Sequence, residues 1–112
     1  MTLNEYQAMA QRTSRKDMSN TEHLLNGMLG LAGEAGECCD LVKKHTYQDG
    51  RPIYIDLIDE LGDVLWYVAE TASALGVTLE SVAQGNVDKL RKRYPTGFEA
   101  EKSLNREVNG NA

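Results

Sequence analysis

The chain has 112 residues, of which 41% are hydrophobic and 26% charged, and its formal net charge is −5. This length predicts one small domain with the composition of an ordinary soluble protein. The acidic charge argues against a nucleic-acid polymer, which proteins bind through basic faces, and no apolar stretch is long enough to cross a membrane. Because the N-terminus also lacks the pattern of a signal peptide, we expect a cytoplasmic protein.

Two predicted helices begin at capping boxes, in which a hydroxyl residue precedes a glutamate by three positions. Thr2 with Glu5 opens a first helix of roughly three turns. Ser19 with Glu22 opens the second and longest candidate, which is predicted to run to about Lys44.

Two further helices follow a predicted turn over 48–52, where glycine and proline are typical of turn chemistry. The third helix begins near Tyr54 and is expected to end before Gly76, a typical residue after a helix C-terminus. The fourth begins after Thr78 and is stopped by Pro95.

The hydrophobic spacing predicts an all-α fold class, a four-helix bundle, because no segment shows a convincing strand pattern. The bundle is expected to be a single domain over residues 1–98. The polar residues 99–112 are predicted to form a flexible C-terminal tail.

The second helix carries an unusual stripe of glycines at every third position. Each glycine costs a helix up to about 1 kcal/mol relative to alanine, so four of them need a compensating contact. We expect another backbone or a ligand to approach closely along this stripe. It consists of Gly27, Gly30, Gly33 and Gly36.

Two pairs of carboxylates mark the second and third helices: Glu34 with Glu37, and Glu60 with Asp63. The members of each pair are three residues apart and so share one helix face. If the two helices are antiparallel neighbours, the four charges converge, and a hard divalent cation such as Mg²⁺ relieves their repulsion. Neither pair has the histidine spacing of a di-iron bundle, and exposed glutamates in surface ion pairs are the simpler alternative.

Candidate phosphate contacts occur at the ends of the second and fourth helices. Lys44 lies just beyond the first carboxylate pair, although it could equally interact with the helix C-terminus. Asn86, Lys89 and Arg93 are spaced along one face of the fourth helix, and arginine in particular can bind phosphate oxygens with two parallel bonds.

Candidates for contacts to a nucleotide base are His23, Asn26 and Trp66. Trp66 is close to Asp63 in the sequence and could stack on a base, but its interpretation as a core residue is at least as good. An isolated histidine such as His23 more often has a structural role.

These motifs together resemble the MazG-like family of nucleotide pyrophosphohydrolases, which belongs to an all-alpha superfamily. The family's ExxE…ExxD pattern falls on the four carboxylates, and its NxxKxxxR pattern falls on Asn86, Lys89 and Arg93. The resemblance extends from Tyr6 to Phe98, and both patterns occur in order.

The resemblance implies a magnesium-dependent hydrolase, with manganese as a substitute, that cuts a nucleoside triphosphate to the monophosphate and pyrophosphate. Metal-activated water would attack the α-phosphorus, with Glu34 or Glu37 as the candidate acceptor of its proton. It also implies a homodimer or a dimer of dimers, and a role in control of the nucleotide pool. The alternatives are a non-catalytic helical interaction module and the same chemistry on phosphoribosyl-ATP.

Overall fold

The structure is a computed structural model that describes residues 1–98 and residue 100. The predicted tail over 99–112 therefore lies outside the described residues, except for residue 100. In chain order the helices are α1 Leu3–Gln11, α2 Asn20–Lys44, α3 Tyr54–Ala74 and α4 Leu79–Arg93. A π-helical turn, His45–Asp49, extends α2, and the described part of the chain contains no strand. The all-α class is confirmed.

Both predicted capping boxes are present. Thr2 Oγ1 accepts the Glu5 main-chain N–H at 3.0 Å, and Glu5 Oε1 accepts that of Thr2 at 3.2 Å. Ser19 and Glu22 make the same reciprocal pair at 3.2 and 3.1 Å. These bonds satisfy main-chain donors that the first turn of a helix leaves unpaired, and so they define where α1 and α2 begin.

The turn predicted over 48–52 begins later than expected, because the π-helical turn carries the helix through Asp49. His45 Nδ1 donates a hydrogen bond to the Arg51 carbonyl oxygen at 2.5 Å, which closes this turn. Gly50 follows with a φ of 65°, a left-handed conformation that favours glycine. The chain thus reverses over residues 50–53, and α3 returns alongside α2.

The described chain forms two compact units, Met1–Leu79 and a second that begins at Glu80. In the first unit, α3 packs against both α1 and α2. Its core is a small cluster of buried residues, Ala10, Ala69 and Leu79, with Tyr6, Trp66 and Val68 packed against it. In the second unit, the rings of Tyr94 and Phe98 lie 5.4 Å apart beside an apolar groove on α4.

The glycine stripe of α2 has a packed half and an open half. A Cβ at Gly27 would overlap with Thr71 Oγ1, and one at Gly30 would overlap with the ring of Tyr67. The close approach of α3 therefore explains these two glycines. Beside Gly33 and Gly36, no described residue comes within 4 Å of such a Cβ, and the expectation of a partner there stays a prediction.

The first unit leaves much apolar surface uncovered for its size. Among the described residues, no large side chain is fully buried. By contrast, Leu29 of α2 is 71% exposed and Ile58 of α3 is 68% exposed. No described helix is both long and apolar enough to span a bilayer.

Candidate functional site

Three carboxylates from two helices meet in the first unit. Glu34 comes from α2, and Glu60 and Asp63 come from successive turns of α3. One carboxylate oxygen from each of the three lies within 4.8 Å of the others. Glu34 and Glu60 are half-buried, and Asp63 is exposed. We call these three residues the carboxylate cluster.

The negative charges of the carboxylate cluster repel one another. The pKa of Glu60 is raised to about 7, first by a hydrogen bond shared with the Glu34 carboxyl, then by desolvation and by the charges of Glu34, Asp63 and Glu37. At neutral pH a proton on Glu60 is therefore one way to relieve the repulsion. A bound cation is the other.

The fourth predicted carboxylate lies beside the cluster. Glu37 is exposed, one turn beyond Glu34 on α2, and its charge contributes to the raised pKa of Glu60. It does not belong to the group whose oxygens approach one another. Of the four carboxylates that the sequence predicts to converge, three do so, and Glu37 lies at the edge of the cluster.

The donor set suits a hard cation. Magnesium and manganese favour oxygen ligands, and the cluster offers carboxylate oxygens and no histidine. The nearby thiol of Cys38 has its pKa raised, first by burial and then by the charge of Glu60, so it remains a neutral and poor ligand for such an ion. Three clustered carboxylates, whose shared hydrogen bond and mutual repulsion raise the pKa of Glu60, therefore fit Mg²⁺ or Mn²⁺.

A pocket of about 350 Å³ opens directly beside the cluster. It is lined by Thr13, Glu34, Asp63, Trp66 and Tyr67. The two aromatic rings meet edge to face, with their centroids 4.9 Å apart. A lining that contains two carboxylates and two aromatic rings suits a ligand that combines a metal-binding anion with a flat ring. The volume is near the lower end of the roughly 300–1,000 Å³ of small-molecule pockets.

The predicted phosphate contacts are found in two places. Lys44, at the end of α2, forms an ion pair with Asp40 at 2.7 Å. Asn86 and Lys89 are exposed on α4, in the second unit. Arg93 is only 8% exposed, and its Nε atom is buried without a hydrogen-bond partner among the described residues.

His23 lies in a different pocket from Trp66. Its cavity, of about 90 Å³, is also lined by Glu70, and the two side chains are 3.7 Å apart. Glu70 accepts hydrogen bonds from Ser14 Oγ at 2.7 Å and from Gln11 Nε2 at 3.2 Å. His23 therefore belongs to a polar network that joins α1, α2 and α3.

The remaining base-binding candidate, Asn26, is exposed on α2. Two residues of the pocket were missed in the sequence, Thr13 and Tyr67. Tyr67 follows Asp63 by four positions and so shares its helix face, and this spacing could have indicated it in the sequence. Thr13 gave no such signal, because it lies 53 residues from its partner Trp66.

The fold and the site define an all-α protein in which a helical hairpin presents clustered carboxylates beside an aromatic pocket. The chain belongs to the MazG family: the family model for the MazG nucleotide pyrophosphohydrolase domain matches residues 22–98. The Gene 37 protein of Mycobacterium phage L5 is 39% identical over 108 residues, covering 87% of this chain and 92% of that protein. The uncharacterized protein YvdC of Bacillus subtilis (strain 168) is 34% identical over 73 residues, covering 57% of this chain and 69% of that protein. No solved structure matches the chain.

Proposed function

We propose that the protein is a magnesium-dependent nucleoside triphosphate pyrophosphohydrolase. It converts a ribo- or deoxyribonucleoside triphosphate and water to the monophosphate and pyrophosphate, and so adjusts the nucleotide pool. The observation that carries the proposal is the carboxylate cluster, whose oxygens lie within 4.8 Å of one another at the edge of a pocket. Membership of the MazG family supports the same reaction.

In this proposal Glu34, Glu60 and Asp63 hold the cation, with Glu37 as a fourth carboxylate at the edge. Magnesium, or manganese in its place, lowers the pKa of water, polarises phosphoryl oxygens and offsets charge on the leaving pyrophosphate. Glu60 must lose its proton before it can bind the cation. The raised pKa therefore makes binding weaker below neutral pH.

The proton of the attacking water goes to Glu34 or Glu37. Glu37 is the better candidate, because it is exposed and lies outside the three-residue cluster, so its oxygens are free to accept a proton. Water attack on the α-phosphorus releases the β- and γ-phosphates together as pyrophosphate.

The phosphate contacts in this proposal are Lys44, Asn86, Lys89 and Arg93. Arg93 has the strongest support, since a buried guanidinium nitrogen without a partner is costly until an acceptor such as a phosphate oxygen binds it. Lys44 would have to break its ion pair with Asp40 before it could bind a phosphate. Trp66 is proposed to contact the base; contacts from His23 and Asn26 remain predictions without structural support.

We also propose that the protein acts as a homodimer or a dimer of dimers in the cytoplasm. A hairpin of α2 and α3 that exposes large aliphatic side chains is an unfavourable surface for an isolated monomer. Docking of a second copy would bury them and is consistent with the small core. The exposed side chains are Leu25, Met28, Leu29, Ile55, Ile58 and Leu61.

The test is pyrophosphate release from a panel of all common ribo- and deoxyribonucleoside triphosphates, with dUTP included and phosphoribosyl-ATP added. Release with Mg²⁺, its loss in EDTA and its recovery with Mn²⁺ are expected. Absence of release from every nucleotide would contradict the proposal and favour a non-catalytic helical interaction module. Release from phosphoribosyl-ATP alone would retain the chemistry and change the substrate.

A further inference from the structure

The only tryptophan of the chain is anchored by a residue of the turn that follows α1. Trp66 Nε1 donates a hydrogen bond to Thr13 Oγ1 at 2.9 Å, and Thr13 Oγ1 donates to the Ala10 carbonyl oxygen at 2.9 Å. Thr13 follows the end of α1, whereas Trp66 lies in the middle of α3. The bond therefore joins two elements that the sequence separates by 53 positions.

This arrangement uses every polar hydrogen of the two side chains. An indole has one N–H donor and a threonine hydroxyl has one O–H donor, and both are committed to partners within the protein. The indole can therefore offer a ligand in the pocket only its aromatic surface. Its orientation is fixed by the hydrogen bond to Thr13 and by the edge-to-face contact with the Tyr67 ring.

The turn that carries Thr13 is itself anchored. The main-chain N–H of Thr13 donates to the Ala10 carbonyl oxygen at 3.1 Å. The next residue, Ser14, is buried and donates to both oxygens of Glu70 at 3.0 and 2.7 Å. Thr13 is thus held between two fixed points, and its hydroxyl is a rigid support for the indole.

We infer that Thr13 is a positioning residue that fixes Trp66 as the wall of the pocket against which the planar base of the substrate packs. This inference rests on the proposed function. It extends that function by assigning a role to a residue outside the carboxylate and phosphate motifs. Thr13 acts through Trp66. Its removal should affect the binding of the base and leave the reacting phosphorus unaffected.

The experiment compares Thr13→Val, which removes the hydroxyl, with Thr13→Ser, which keeps it. Thr71→Val is the matched control, because Thr71 also donates its hydroxyl to a main-chain carbonyl, that of Tyr67 at 2.8 Å, but does not line the pocket. The first readout is the emission maximum and acrylamide quenching of Trp66 in the protein without nucleotide. The second is KM and kcat for the triphosphate that the wild-type protein cleaves fastest, with inorganic tripolyphosphate as an inhibitor that lacks a base.

We expect Thr13→Val to shift the Trp66 emission to longer wavelength and to increase quenching, while Thr13→Ser and Thr71→Val resemble the wild type. Loss of one neutral hydrogen bond corresponds to a rise in KM of about three- to tenfold, with kcat within about twofold and the tripolyphosphate inhibition constant unchanged. Far-UV circular dichroism checks that each variant is folded.

Unchanged emission and quenching in a folded Thr13→Val would overturn the inference. A KM increase that Thr71→Val shares, or an equal loss of tripolyphosphate binding, would do the same, because either result indicates a general structural effect. If the wild-type protein cleaves no nucleotide, the proposed function fails, and the emission data alone still decide whether Thr13 positions Trp66.

Discussion

Two glutamates of α3, ten residues apart, have opposite surroundings. Glu70 is 2% exposed and accepts hydrogen bonds from the neutral donors Ser14 and Gln11. Glu60 is half-buried, and its neighbours are the carboxylates Glu34 and Asp63. A buried acid that is fully supplied with donors stabilises a fold, whereas an acid packed among other acids needs a proton or a cation. The same residue type thus marks the structural end and the candidate functional end of one helix.

The largest effect is expected at the cluster. Asp63→Asn removes a charged ligand and should lower kcat by at least about a hundredfold, because ligand loss impairs both metal binding and charge neutralisation. The control is Asp59→Asn, an exposed α3 carboxylate outside the cluster, whose activity should stay within about twofold of wild type. A folded Asp63→Asn protein with full pyrophosphate release would remove the cluster from the mechanism.

The free energy of unfolding should depend more on Glu70 than on Glu60, the reverse of what we expect for activity. Glu70→Ala leaves the hydroxyl of Ser14 and the amide of Gln11 without their acceptor and creates a cavity, so the free energy of unfolding should fall by about 2–4 kcal/mol. Glu60→Gln removes repulsion and should leave the metal-free protein at least as stable as the wild type. Urea unfolding in EDTA measures both. Equal losses in the two variants would show that the two ends of α3 do not differ in this way.

The glycine stripe permits a comparison on the neighbouring helix. Gly30→Ala would drive a methyl group into the Tyr67 ring, and overpacking of this kind costs about 1–3 kcal/mol. Gly33→Ala meets no described atom within 4 Å and should stabilise the helix by about 0.5–1 kcal/mol. Thermal unfolding of the two variants is the measurement. Should Gly33→Ala instead destabilise the protein, a second copy or another group must pack against the open half of the stripe.

The parts of the fold that could be predicted are those set by neighbours in the sequence. The capping boxes depend on residues three positions apart, and Gly76, with a φ of 73°, follows the end of α3 as expected. The π-helical turn was missed because the contact that closes it, from His45 to the Arg51 carbonyl, has no pattern in composition or spacing.

The same distinction holds for the site. Two ExxE-like pairs predict which carboxylates share a helix face, but not that Glu37 would lie at the edge of the cluster. The partner of Trp66 could not be predicted, because the packing of α1 on α3 determines it. The role of His23 was equally hidden, since Glu70 lies 47 positions away and becomes its neighbour only in the folded chain.

The smallest expected effect is a dependence of stability on pH that arises from Glu60. Its pKa in the folded protein is about 7, above the value of 4.5 for an unperturbed glutamate, so the folded state holds a proton that the unfolded state has lost between these values. The contribution of Glu60 is therefore fully present below pH 4.5 and is lost as the pH rises towards and through 7. Melting temperatures in EDTA should show a decrease between pH 5 and 8 that is smaller in Glu60→Gln.

Added Mg²⁺ should stabilise the wild type more at pH 8 than at pH 6, because the ion competes with the proton for the same carboxylate. If Mg²⁺ stabilised the protein equally at both pH values, the cation would bind away from Glu60, and the contrast with Glu70 would no longer identify the functional end of α3.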